Sequence, residues 1–161
     1  MTRFVLDAST VLTWCFPDEE AQKAQEISER IAGGDTVVVP AFWRHEILNA
    51  LLVGERRNRL TPELTEAFIA DLKRLPVDVD DGAAQDIVYN TTQALCRKHG
   101  LTAYDAAYLE IAIRGGYPLA TVDEDPQAGS RRRGSTGALM AGPDAETHQT
   151  LAALRSVEVS N

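Results

Sequence analysis

The chain predicts an α/β fold, with a mostly parallel sheet covered by helices on both faces. Short β-branched or apolar runs alternate with longer helical stretches from the first residues to about residue 125, the pattern of successive βαβ units. Glycine pairs and prolines close most of the stretches. The length, 161 residues, fits one domain around one core, and a hydrophobic content of 44% argues against a disordered chain.

The elements follow in order. Phe4-Val5-Leu6 reads as a buried strand ending at Asp7. A short helix is expected from Ser9 to Cys15, ended by Pro17, and a longer one from Asp18 to Ala32, stopped by Gly33-Gly34. Thr36 to Val39 is a second strand, closed by Pro40, and Phe42 to Glu55 a helix. Thr61 caps the next helix, with Pro62 at its first position, and that helix runs to about Leu75. Val77 to Val79 is a short strand. Ala83 to His99 reads as one helix stopped by Gly100, and Leu101 to Arg114 as another stopped by Gly115-Gly116. Pro118 to Val122 is a strand ending at Asp123. After Asp125 the character changes: residues 126–141 are rich in Gly, Ser and Arg, with Arg131-Arg132-Arg133 in the middle. That stretch reads as a loop, followed by a helix over Ala145 to Leu154 and a last strand at Val157 to Val159. The division is thus a main α/β domain over 1–125 and an atypical C-terminal segment over 126–161.

No apolar run approaches the roughly 18 residues that span a bilayer, and the apolar start is too short for a signal peptide. Cys15 and Cys96 show no ligand spacing and read as small hydrophobes in a reduced, cytoplasmic protein. His45, His99 and His148 show none either and are expected at the surface. The net charge of −8 is unusual for a protein that binds nucleic acid. Arg44, Arg56, Arg57 and Arg59, however, make a local basic stretch able to meet phosphate.

Four carboxylates interrupt apolar stretches: Asp7, Glu46, Asp105 and Asp123. Carboxylates rarely stay buried without a partner. Asp7 and Asp123 each follow a strand, and ligands of open α/β sheets bind at the carboxyl ends of strands. A helix cap is the plainer reading for Asp7. With 100° of turn per residue, Phe42, Trp43, Ala50 and Val53 fall within about 60° of Glu46, which puts this acid on the core side of its helix. Pairing with a buried arginine would account for it as well. Leu101, Leu109, Ala112 and Ile113 lie within about 80° of Asp105, with Glu110 and Arg114 on the far side; Thr102 to Asp105 also fits a capping box. Ser9 and Thr121 stand where their hydroxyls can hydrogen-bond these acids and orient them. Leu48 and Leu52 lie opposite Glu46, as a second core or a dimer face. Oxygen ligands in this number suit Mg²⁺ or Mn²⁺ over zinc.

Four segments resemble the PIN-domain ribonucleases of the VapC toxin type: Phe4-Val5-Leu6-Asp7-Ala8-Ser9; Trp43 to Leu51 around Glu46; Leu101 to Tyr108 around Asp105; and Leu119-Ala120-Thr121-Val122-Asp123. The resemblance implies a three-layer α/β/α fold with a central, mostly parallel sheet. It implies Mg²⁺ or Mn²⁺ held by Asp7, Glu46, Asp105 and Asp123, and endoribonuclease activity on RNA. It further implies restraint by a cognate antitoxin, as in type II toxin–antitoxin systems, and a homodimer. The segment after Pro126 departs from the family pattern. Two alternatives stand beside this reading. One is a haloacid-dehalogenase-like phosphatase, which also begins with a strand and an Asp, although Ser9 replaces the acid that such an enzyme needs at the third position. The other is a catalytically inactive PIN-like binding module.

Overall fold

The computed structural model describes residues 1–16, 21–82 and 84–121. The expected last strand, the helix before it, the Arg131 run and Asp123 lie outside the described residues. The order is β1 (Arg3–Leu6), α1 (Ala8–Leu12), α2 (Ala21–Ala32), β2 (Thr36–Pro40), α3 (Trp43–Arg56), α4 (Pro62–Leu72), β3 (Val77–Asp80), a π-helical stretch (Ile87–Thr92), α5 (Gln93–His99), α6 (Ala103–Gly115) and β4 (Leu119–Ala120). The strands form one parallel sheet in the order β3-β2-β1-β4.

Consecutive residues Phe4, Val5 and Leu6 of β1 are all fully buried, and Val37, Val38 and Val39 of β2 nearly so. Successive side chains of a strand point to opposite faces, so both faces of the sheet are covered, as an α/β/α sandwich requires. The strand at one edge, β3, reads Val-Asp-Val-Asp and is only partly buried. Trp43, Ile47, Leu51 and Gly54 form the buried stripe of α3. Gly54 lets Leu60 and Phe16 close on that helix, since a β-carbon there would meet both at 3.1 Å. Thr61 caps α4 as expected, accepting from the Leu64 N–H at 3.4 Å.

Three expectations need correction. The helix read over Ala83 to His99 is broken into the π-helical stretch and α5. Four of the six π-helical residues, Ile87, Val88, Thr91 and Thr92, are β-branched and fit poorly against a preceding α-helical turn. His99 is buried, at 3% exposure, not at the surface. On α6 the wheel also misleads: Glu110 is buried, while Asp105 and Ile113 are exposed. This helix packs on β1, β2 and β4 and also against α5 and the π-helical stretch. Its buried arc is therefore wider than a single apolar stripe. Glu110 is accommodated because Arg114, one turn on, pairs with it at 2.7 Å and reaches Asp80 at 2.9 Å.

Candidate active site

The chain runs from β1 outward through β2 to β3, then returns to place β4 on the other side of β1. The order reverses between β1 and β4, and the crevice at the carboxyl ends of such a pair is where α/β sheets bind ligands. Asp7 is the first residue beyond β1. It is the N-cap of α1, with extended backbone, and its Oδ1 accepts the Ser9 N–H at 3.0 Å. Its Oδ2 accepts the hydroxyl of Thr121 at 3.0 Å. The backbone carbonyl of Ala120 accepts from the Asp7 N–H at 3.1 Å and from the Thr10 hydroxyl at 3.2 Å, which ties the end of β4 to the start of α1. Thr121 therefore reaches Asp7 through its side chain. Ser9 reaches it through its backbone; the Ser9 hydroxyl is buried without a hydrogen-bond partner among the described residues.

Glu46 sits in the first turn of α3 and Asp105 in the first turn of α6, so helix dipoles favour both charges. Asp105 accepts the Thr102 hydroxyl at 2.6 Å while its own N–H donates back to that oxygen at 3.1 Å. An aromatic cluster draws the two helix starts together. Phe42, which precedes α3, packs edge-on against Tyr104 at 5.1 Å and against Tyr108 at 5.7 Å, both on α6. The Tyr108 hydroxyl donates to Glu46 Oε2.

Burial pushes Glu46 above the ordinary carboxylate range; the hydrogen bond from Tyr108 opposes this, and the nearby charge of Asp105 adds to it. The Tyr108 hydroxyl is held firmly protonated by burial, by its bond to Glu46 and by the charge of Asp7. Glu46 thus feels the charge of Asp105, and Tyr108 feels the charges of both Glu46 and Asp7, at this end of the sheet. Among the described residues no arginine, lysine or histidine forms an ion pair with Glu46 or Asp105. Nor, among these residues, do three His, Cys, Asp or Glu side chains close tightly enough to grip one ion. The donor set nonetheless fits a hard divalent cation: all oxygen, acidic, and mutually repulsive until a positive charge joins it.

Arg44 is exposed in the first turn of α3, close in sequence to Glu46. Arg56, Arg57 and Arg59 belong to the other end of that helix, roughly 18 Å along its axis. The arginines that are neighbours in sequence are therefore split, and the Arg59 guanidinium stacks over Phe16 at 4.7 Å from its ring centre. Leu48 and Leu52 are exposed, at 43% and 39%.

The tie of Thr102 to Asp105 follows the capping box expected from the sequence, whereas Tyr108 was not legible as a residue of the candidate site. Tyr108 stands in an apolar run, Ala106-Ala107-Tyr108-Leu109, where an aromatic reads as core. The available signal was its spacing: three residues beyond Asp105, it shares that residue's side of the helix.

A family model described as the PIN domain matches residues 4–130. The chain belongs to the PIN-domain family. Among proteins like it, the ribonuclease VapC3 of Pyrobaculum aerophilum is 31% identical over 127 residues, which covers 75% of this chain and 89% of that protein. The resemblance to VapC-type PIN domains drawn from the four segments therefore holds, and the phosphatase alternative falls with it. The family match extends past Asp123.

Proposed function

We propose that this PIN domain is a metal-dependent endoribonuclease toxin, held in check by a cognate antitoxin. The observation that carries the reading is the convergence at Tyr108, whose hydroxyl donates to Glu46 and feels the charge of Asp7, the residue just beyond β1 where the strand order reverses. The likeness to a VapC ribonuclease supports it. Asp7, Glu46, Asp105 and Asp123 would hold Mg²⁺ or Mn²⁺. When bound, the ion supplies Lewis acidity and positive charge for a phosphodiester. Ser9 and Thr121 keep both oxygens of Asp7 oriented, and Thr102 orients Asp105. No histidine or covalent nucleophile is needed: water attacks phosphorus, leaving 5′-phosphate and 3′-hydroxyl ends. Arg44, and at longer range Arg56, Arg57 and Arg59, would meet the RNA backbone.

The same reading takes a cytoplasmic setting, where RNA and antitoxin meet. It takes a homodimer, for which exposed Leu48 and Leu52 offer apolar surface. No helix among the described residues is long and apolar enough to cross a membrane.

The test is cleavage of single-stranded RNA with Mg²⁺, with Mn²⁺, with EDTA, and by an Asp105→Asn variant. Cleavage with either metal is expected, with EDTA abolishing it and the variant losing at least about 100-fold. Products ending in 2′,3′-cyclic phosphate would refute the hydrolytic route. A parent chain inert on every RNA that still binds its antitoxin would favour the inactive module.

A further inference from the structure

Tyr108 is buried, at 2% exposure, and its ring is wedged edge-on against Phe42. Packing at this position asks only for an aromatic ring, and phenylalanine would fill the same space. What the hydroxyl adds is polar contact on two sides: it donates to Glu46 Oε2 and meets the backbone N–H of Ala8. Glu46 has no other hydrogen-bond or ion-pair partner among the described residues. A glutamate side chain has three torsions to fix, and ordering them costs conformational entropy. A tyrosine has two, and here the ring is already fixed by its neighbours. The rigid partner therefore orders the mobile one.

We propose that Tyr108 is a positioning residue that sets the direction of the Glu46 carboxylate, engaging Oε2 and leaving Oε1 for the ion. This rests on the reading of Glu46 as part of a metal-holding site. Outer hydrogen bonds of this kind, from a group that never touches the metal, typically matter 10–100-fold in metal affinity or activity.

The experiment compares the parent chain, Tyr108→Phe, Glu46→Gln and the double variant. Three quantities are read: melting temperature in EDTA, Mn²⁺ affinity by calorimetry, and kcat and KM on a defined RNA. Tyr108→Phe is expected to melt within about 5 °C of the parent and to keep KM within about twofold, while Mn²⁺ affinity and kcat fall roughly 10–100-fold. In the Glu46→Gln background the same change should cost little further, because Glu46 is the one side chain among the described residues that the hydroxyl bonds. Parent-like Mn²⁺ affinity and kcat in Tyr108→Phe, beside an impaired Glu46→Gln, would overturn the proposal alone. So would losses that add in the double variant, or a melting temperature more than about 10 °C lower, which would mark a structural role. A parent-like Glu46→Gln would remove Glu46 from the site, and the proposal with it.

Discussion

Asp35 and Glu46 flank the two ends of β2, and hydrogen bonds hold both. At the amino end, Asp35 accepts from the Thr2 N–H at 2.8 Å and the Thr2 hydroxyl at 2.7 Å, and the Arg30 guanidinium lies 3.2 Å away. These contacts, the Thr2 N–H foremost, hold its carboxyl below the usual range. Beyond the carboxyl end, Glu46 has a single neutral donor and a second acid for a neighbour, and its pKa moves the other way. The same chemical group is a structural fastener in one place and a destabilised charge in the other. Acids that serve the fold are matched within the chain: Asp35 with Arg30, Asp78 with Arg3, Glu110 and Asp80 with Arg114. Glu46 and Asp105 have no such cation among the described residues.

Three substitutions sharpen that contrast. The largest effect is expected from Arg114→Met, which strands Glu110, a residue only 4% exposed, without its cation. Breaking a buried pair from one side typically costs 3–5 kcal/mol; because Arg114 itself is partly exposed, about 2–3 kcal/mol is expected, read by urea unfolding. Metal affinity should not change.

Asp35→Asn comes next, lowering the melting temperature by about 2 °C at neutral pH. Because the folded pKa of Asp35 is depressed, its stabilisation is fully present above its unfolded pKa. It is lost as pH falls through the folded value. The gap between variant and parent should therefore close in acid, as melting curves across pH would record.

Glu46→Gln should reverse the sign. A carboxyl whose folded pKa is raised penalises the folded state above that pKa, and the penalty vanishes once pH drops below the unfolded value. In EDTA at neutral pH the variant should melt slightly above the parent, and the gain should fade in acid. A lower melting temperature at neutral pH would show that Glu46 is a fastener like Asp35.

The fold was largely legible in advance because β1 and β2 are short apolar runs and α2, α5 and α6 stop at glycines, both local signals. The π-helical stretch was not, since Ile87 to Thr92 lie within a helical composition and only backbone hydrogen bonding distinguishes the two forms. The site was legible where an acid follows a strand, as with Asp7, because strand ends have a topological meaning. Around α6 it was less so. The wheel turned Asp105 inward and Glu110 outward, yet the structure has the reverse exposure, because Arg114 and Asp80 make a buried place for Glu110. A wheel weighs polarity residue by residue and does not register that an ion pair one turn apart on the same helix lets an acid be covered. Tyr108 was missed for the converse reason: its ring is core and only its oxygen reaches Glu46.

The most direct measurement is calorimetric titration of Mn²⁺ into the parent chain, Asp105→Asn and Asp35→Asn. The parent should bind, Asp35→Asn should bind equally well, and Asp105→Asn should weaken binding at least about tenfold. Equal affinity in the parent and Asp105→Asn would contradict the assignment of a cation to the carboxyl end of this sheet.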